Sequence, residues 1–215
     1  MIVTIDGPAG AGKSSAAREL ARRLGFRFLD TGAMYRAVTL AAKQRDLDLT
    51  DADRLARLVG EIRVELTGDR VLVDGQDVTK AIRTFDITTS IQYAADNPAV
   101  RAQLVTWQRE AAAGCDVVTE GRDQGTVVFP GAECKIFLTA DERERAERRY
   151  RDLVDRGEQV SFDEVLGAQH HRDERDRTRD VGALLKAADA IEVSTSGLTP
   201  AEVVARLEEI VRSKQ

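Results

Sequence analysis

Long apolar runs are missing from this sequence. Nothing approaches the roughly 18 residues of a membrane helix, and the start, MIVTIDGPAG, has no basic stretch ahead of an apolar one. Neither a membrane association nor a secretory leader is expected. Cysteine is scarce: Cys115 and Cys134 cannot build a disulfide framework, and both fall in apolar, strand-like stretches. Free buried thiols and a reducing, cytoplasmic compartment are therefore expected. No charge sign dominates, since 32 Lys+Arg face 37 Asp+Glu for a formal charge of -5, which argues against a general nucleic-acid binder. Repeats and low-complexity linkers are absent too. What remains is a 215-residue chain, 42% apolar, enough for a real core in one domain with insertions.

The pattern along that chain alternates strand and helix. Ile2–Ile5 reads as a strand that stops at Asp6-Gly7-Pro8, and Ala17, Leu20, Ala21 and Leu24 follow at helical spacing until Gly25. Phe26–Leu29 reads as a second strand, 34–42 as a helix, and Asp51 as the cap of another. Short apolar runs at 115–119, 134–138 and 190–193 are further strands, while Pro98 opens a helix that Gly114 closes. Asp141/Glu144, Ser161/Glu164 and Thr199/Glu202 have capping-box spacing. Strands separated by helices predict an α/β fold, a parallel sheet covered on both faces. Only 62–78 breaks the rhythm: alternation around Thr67-Gly68-Asp69, then Asp74-Gly75, predicts a β-hairpin insertion.

Between the first strand and first helix lies Gly7-Pro8-Ala9-Gly10-Ala11-Gly12-Lys13-Ser14, a match to G-x-x-x-x-G-K-[ST] in the context that motif requires. Glycines let the backbone curl so that N–H groups converge on an anion, and the helix start adds its positive end. Lys13 supplies a charge for the β- and γ-phosphates, and the Ser14 hydroxyl reaches Mg²⁺. A nucleoside triphosphate, ATP or GTP, is the expected ligand. A regulatory GTPase would need an Asn-Lys-x-Asp guanine reader, but the single asparagine, Asn97, is followed by Pro98. A large ATPase needs more chain. A small-molecule kinase needs a second anion site, so arginines at strand ends become the candidates.

Three clusters carry them. Asp30, Thr31 and Arg36 follow the second strand, at the sheet edge where open α/β folds bind ligands. Glu120-Gly121-Arg122-Asp123 follows strand 115–119, although Arg122 and Asp123 could simply pair with each other. Arg172, Asp176 and Arg179 lie at i, i+4 and i+7 within a charge run that could equally be a solvated helix face. Two guanidinium forks around a carboxylate suit a sugar phosphate.

Taken together, GPAGAGKSS at 7–15, LDTGAMYRA at 29–37, AIRT at 81–84, PAVR at 98–101, EGRDQGTVVFPGAECKIFLTA at 120–140, RDERDRTR at 172–179 and ADAIEV at 188–193 resemble the bacterial cytidylate kinase family across nearly the whole chain. The resemblance implies a five-stranded parallel sheet with helices on both faces, in a single P-loop kinase domain over 1–215. Its core would span about 1–42, 98–140 and 180–215, with an enlarged monophosphate-binding lobe at 43–97 containing the hairpin and a lid at 145–165. It implies ATP as donor, Mg²⁺, and CMP or dCMP as acceptor. Residues 7–15, from Gly7, Pro8, Ala9, Gly10, Ala11 and Gly12 to Lys13, Ser14 and Ser15, would hold ATP, with Ser14 on the metal. Arg36, Arg122 and Arg179 would take the CMP phosphate, Arg172 and Asp176 the sugar, and Arg101 and Asp123 the cytosine; Asp30 and Thr31 complete the substrate set. Lys13, Arg122, Arg179 and one lid arginine, Arg148, would act in catalysis, with Arg145, Arg149, Arg151 and Arg156 also available there. Where many relatives carry a base-contacting serine, this chain has Gln92, with Ser90 nearby.

Some residues invite other readings. Glu120 could hold Mg²⁺ through water or be structural. Adjacent His170 and His171 point apart on a helix and are expected at the surface, and Trp107 is expected to pack. No oligomerisation seam is visible, so a monomer is expected. The remaining alternatives are a P-loop kinase for another acceptor, UMP/CMP or non-nucleotide, and a nucleotide-dependent binding protein.

Overall fold

The computed structural model describes residues 1–155 and 157–215; Arg156 lies outside the described residues. Its strands are β1 (Ile2–Asp6), β2 (Arg27–Asp30), β3 (Val64–Thr67), β4 (Arg70–Val73), β5 (Gln76–Asp77), β6 (Val117–Gly121), β7 (Cys134–Thr139) and β8 (Ile191–Ser194). Its helices are α1 (Lys13–Leu24), α2 (Thr31–Gln44), α3 (Ala52–Glu61), α4 (Phe85–Asp96), α5 (Pro98–Ala112), α6 (Glu142–Asp155), α7 (Phe162–Thr178) and α8 (Pro200–Arg212). The main sheet has five strands in the order β2-β6-β1-β7-β8. β1 runs parallel to β6 and to β7, and β7 to β8. The α/β architecture expected from the alternating pattern is the one observed. No helix among the described residues is long and apolar enough to cross a membrane.

The chain forms two compact units, residues 1–26 with 116–215, and residues 27–115. In the first, Val3, Ile5, Val117, Val118, Ile136, Leu138 and Val193 are buried. Strands this uniformly buried need cover on both faces, and α1 packs with α8, α6 with α7. Gly25 ends α1 in the left-handed region, as its position after Leu24 predicts. Ser161 and Thr199 form complete capping boxes with Glu164 and Glu202.

Asp141 departs from that expectation. Its side chain accepts from the Arg143 and Glu144 amides, but its own N–H goes to Ser196 Oγ at 2.8 Å, not to Glu144. A second departure is Cys115. Only Cys134 is a buried strand thiol, its pKa pushed up to about 11 by burial. Cys115 is exposed because Gly114 turns the chain out of α5 and β6 begins only at Val117.

In the unit 27–115, the 62–78 segment is a three-stranded antiparallel sheet, order β3-β4-β5. The Gly68-Asp69 loop sets the first pairing, Thr67 opposite Arg70. Asp74 (φ 50°) and Gly75 (φ 79°) form the second turn, with both central residues left-handed as tight hairpins prefer. Val64, Leu66, Val71 and Val73 give this sheet its buried face. Asp51, Thr84 and Asn97 cap α3, α4 and α5, and Pro98 stands in the first turn of α5. Trp107 is buried on α5 beneath the Arg63 guanidinium, which is 5.5 Å from its ring centroid.

Candidate active site

The loop 7–12 joins the end of β1 to the start of α1. Gly7, Gly10 and Gly12 have φ of 149°, 78° and 84°, values that favour glycine. A Cβ on Gly7 would stand 2.1 Å from the Leu138 carbonyl oxygen, so the first glycine is also fixed by the close approach of β7. Gly12 caps α1 without a side-chain bond and has open space above it. The helix therefore presents its first-turn amides uncovered by a cap, the arrangement that receives an anion.

Lys13 opens α1 at 5% exposure and donates from Nζ to the Pro8 carbonyl at 2.8 Å. Burial, then the nearby Arg122 charge, lowers its pKa from 10.5 to about 7. Ser14 donates from Oγ to Glu120 Oε1 at 2.9 Å, and Ser15 from Oγ to the Gly12 carbonyl. Glu120 therefore stands behind the hydroxyl expected to face a cation. Arg145 reaches the Ala9 carbonyl at 2.8 Å, and Thr195 the Ala11 carbonyl at 3.3 Å, so side chains buttress the loop at both ends.

Beyond β6 the backbone enters one wide turn at Gln124–Val128. Asp6 holds it, accepting from the Gln124 and Gly125 amides at 2.9 and 2.7 Å. Burial raises the Asp6 pKa to about 6 against the opposing effect of those two bonds. Arg122 does not pair with Asp123, the bland alternative. Its Nε donates to Asp176 Oδ2 at 2.7 Å, and Arg179 Nη2 donates to Asp176 Oδ1 at 2.9 Å. Although burial disfavours charge on Asp176, Arg122, Arg172 and Arg179 hold its carboxyl below the usual range. Burial and the neighbouring Arg122 charge lower the Arg172 pKa to about 10. One expectation needs correcting: Arg179 is not on the α7 stripe with Arg172 and Asp176. The helix ends at Thr178, and Arg179 is its extended C-cap, folded back onto Asp176.

The family model described as cytidylate kinase matches residues 3–213. The chain belongs to the cytidylate kinase family. A cytidylate kinase of Rhodopirellula baltica is 51% identical over 212 residues, covering 99% of this chain and 93% of that protein. That of Bacillus subtilis is 43% identical over 216 residues, with 99% and 96% covered. Among solved structures, shikimate kinase from Bacteroides thetaiotaomicron aligns with a TM-score of 0.50 at 13% identity, covering 99% of this chain and 98% of that one. An uncharacterized protein from Eubacterium ventriosum gives a TM-score of 0.55 at 14% identity, covering 99% and 98%. These structures share the fold.

The other residues that the cytidylate kinase resemblance singled out divide between the two units. Within 27–115, Asp30 caps α2 through the Ala33 amide at 2.9 Å, and Thr31 is buried at the helix start. Arg36 Nη2 is 3.4 and 3.5 Å from the two Asp30 oxygens, and its Nε is buried without a hydrogen-bond partner among the described residues. Arg101 is buried on α5, 5.8 Å from the Tyr35 ring centroid, with Nη1 donating to the Ala95 carbonyl. Gln92 is half-buried on α4. In the other unit, Arg148 bonds Glu144 and Thr195, not the Arg122–Asp176 group. Arg149 and Tyr150 are half-buried, Arg151 is exposed, and exposed His170 pairs with Glu142 at 3.0 Å.

Residues the sequence reading did not single out include Asp6, Gln124 and Asp173. Asp6 had a signal, an acid ending a strand beside the phosphate loop; Asp173 was one charge among many.

Lys13 gives an expected pH signature. At about pH 8 the free lysine is largely neutral, and a bound triphosphate favours its charged form, so binding takes up about one proton; at pH 6, where the lysine is already mostly charged, it takes up only about a tenth of that. Calorimetric ATP titrations in buffers of different ionisation enthalpy check this. Enthalpies independent of buffer at pH 8 would contradict it.

Proposed function

We propose that this chain transfers the γ-phosphoryl group of ATP to CMP or dCMP, giving ADP and CDP or dCDP. The observation that carries the reading is a cluster of cations beside the phosphate loop, buried Lys13 with half-buried Arg122 and Arg172. Lys13 donates to a backbone carbonyl, its pKa is lowered first by burial and then by the charges of Arg122 and Arg172, and all three belong to one unit with the phosphate loop. Asp176 offsets part of that charge, and the clustered anions of two phosphorylated substrates would offset the rest.

In this reading the 7–15 loop holds the ATP phosphates through its amides and Lys13. The Ser14 hydroxyl, backed by Glu120 at 2.9 Å, suits Mg²⁺. Among the described residues no cluster of three His, Cys, Asp or Glu could hold a metal alone, so phosphate oxygens and water would complete its shell. Held there, Mg²⁺ would neutralise charge on the phosphates. Arg122, Arg179 and Arg36 take the CMP phosphate, and Arg172 and Asp176 the sugar. Asp123 and Arg101 read cytosine as acceptor from the N4 amino group and donor to N3. No covalent intermediate is needed: the CMP phosphate oxygen attacks γ-phosphorus in line, the bond to the bridging oxygen breaks, and ADP leaves with that electron pair. Arg148 and other arginines near 145–160, apart from Arg145, which is buried against Asp173 and the Ala9 carbonyl, add charge on closure, which also excludes water. The buried free thiol of Cys134 and the lack of a visible oligomerisation seam favour a cytoplasmic monomer.

The test is ADP release across CMP, dCMP, UMP, AMP and GMP. Turnover strongest with CMP and dCMP is expected; turnover strongest with AMP or GMP would overturn the base assignment. ATP consumption with none of them would point to another acceptor.

A further inference from the structure

A buried ion pair joins the phosphate loop to the helix that sets the arginine cluster, and the reaction chemistry above does not use it. Arg145, on α6, sends Nη1 to two places: the Ala9 carbonyl at 2.8 Å and Asp173 Oδ2 on α7 at 2.6 Å. Its Nε donates to the Ala140 carbonyl at 3.1 Å. The two side chains are only 4% and 3% exposed. The loop rests directly on Arg145 and on Gln169, since a Cβ on Gly10 would meet Arg145 Cβ at 3.0 Å and Gln169 Oε1 at 3.4 Å. Gln169 Nε2 in turn donates to the Glu142 carbonyl at 2.9 Å, fastening α7 to the start of α6. One helical turn beyond Asp173 stands Asp176, which holds Arg122 and Arg179. One helix therefore carries both the carboxylate paired with the arginine that bonds the loop and the carboxylate that holds the forks.

A pair this dry is a poor stabiliser. Desolvation of both ions offsets much of their attraction, and apolar replacements of similar volume are often neutral or stabilising. Asp173 has the Arg145 charge close by, yet among the described residues neither oxygen takes an aligned hydrogen bond. Stability alone does not account for such a pair, whereas its position between two anion sites does.

We infer that Arg145 and Asp173 are positioning residues that couple the two sites. An anion settling into the loop shifts the Ala9 segment; Arg145 and Asp173 pass that shift along α7 to Asp176, and so to Arg122 and Arg179. The inference rests on the kinase reading and deepens it: an occupied donor site tightens acceptor binding, and by linkage the reverse holds equally.

The decisive variant is the double replacement Arg145→Met with Asp173→Leu, because either alone strands a buried charge and is expected to fold poorly. CMP affinity is measured by calorimetry with and without a non-hydrolysable ATP analogue and Mg²⁺, beside thermal melting. In the unaltered protein the analogue is expected to tighten CMP binding about fivefold or more. In the double variant that ratio is expected to fall to about one, with melting temperature equal or higher. Arg145→Lys offers one compact ammonium for three acceptors and is expected to fold with reduced coupling. Undiminished coupling in either variant overturns the inference, as does an unaltered protein that binds and turns over CMP without coupling. Failure of the unaltered protein to bind CMP overturns the kinase reading as well, which separates the two failures.

Discussion

Replacing Lys13 by methionine is expected to lower kcat by about 10²–10³-fold or more while leaving the fold intact. The lysine is the only residue of the loop that carries full charge, and it opens α1 where the triphosphate is proposed to lie. Methionine keeps the length and removes the charge. Stability should not fall, and the sign follows from linkage. The unfolded lysine titrates near 10.5 and the folded one near 7, so between those values the unfolded chain binds more protons and stability rises with pH. Below about 7 the charge is held in the folded protein against its burial, so the variant should melt at an equal or higher temperature there. Steady-state kinetics and melting at pH 6.5 and 9 check both halves. Retained turnover would remove the phosphate-loop assignment, and a collapsed fold would mean that Lys13 is structural.

Asp123→Asn should change what the enzyme accepts. Asp123 is 5% exposed and follows β6, with the turn beyond it pinned by Asp6. A carboxylate accepts from the cytosine N4 amino group, whereas uracil presents an acceptor there. An amide can rotate to donate to it. The ratio of kcat/KM for CMP over UMP is expected to fall by about two orders of magnitude or more, since sites built on hydrogen bonds discriminate by 10⁴ or more. The KM for ATP should move less than about twofold, because uniform binding of the donor is untouched. Equal losses for both monophosphates would make Asp123 a structural residue.

Much of this protein could be read before its structure, and the boundary of what could be read has a physical cause. Local rules sufficed where energy is local: apolar spacing placed α1, and the turn residues Gly68-Asp69 and Asp74-Gly75 placed the antiparallel sheet, though its third strand β5 was too short to read. The phosphate loop was legible because its chemistry is contiguous. Asp6 bonding the amides of Gln124 and Gly125 was not, because 118 and 119 positions separate the partners. The Arg145–Asp173 pair was hidden for another reason. Arg145 sits among four further arginines between 145 and 156, and only burial distinguishes it from solvated neighbours. Arg179 shows a third limit: i, i+7 spacing placed it on a helix that ends one residue earlier, with neither glycine nor proline to mark the stop.

A crystal structure with CMP and a Mg²⁺-bound ATP analogue both present tests the central claim most directly. The account predicts Lys13 Nζ turned from the Pro8 carbonyl to the γ-phosphate, and the guanidinium groups of Arg36, Arg122 and Arg179 around the CMP phosphate. A CMP phosphate bound elsewhere, with these three side chains still holding their carboxylates, would contradict it.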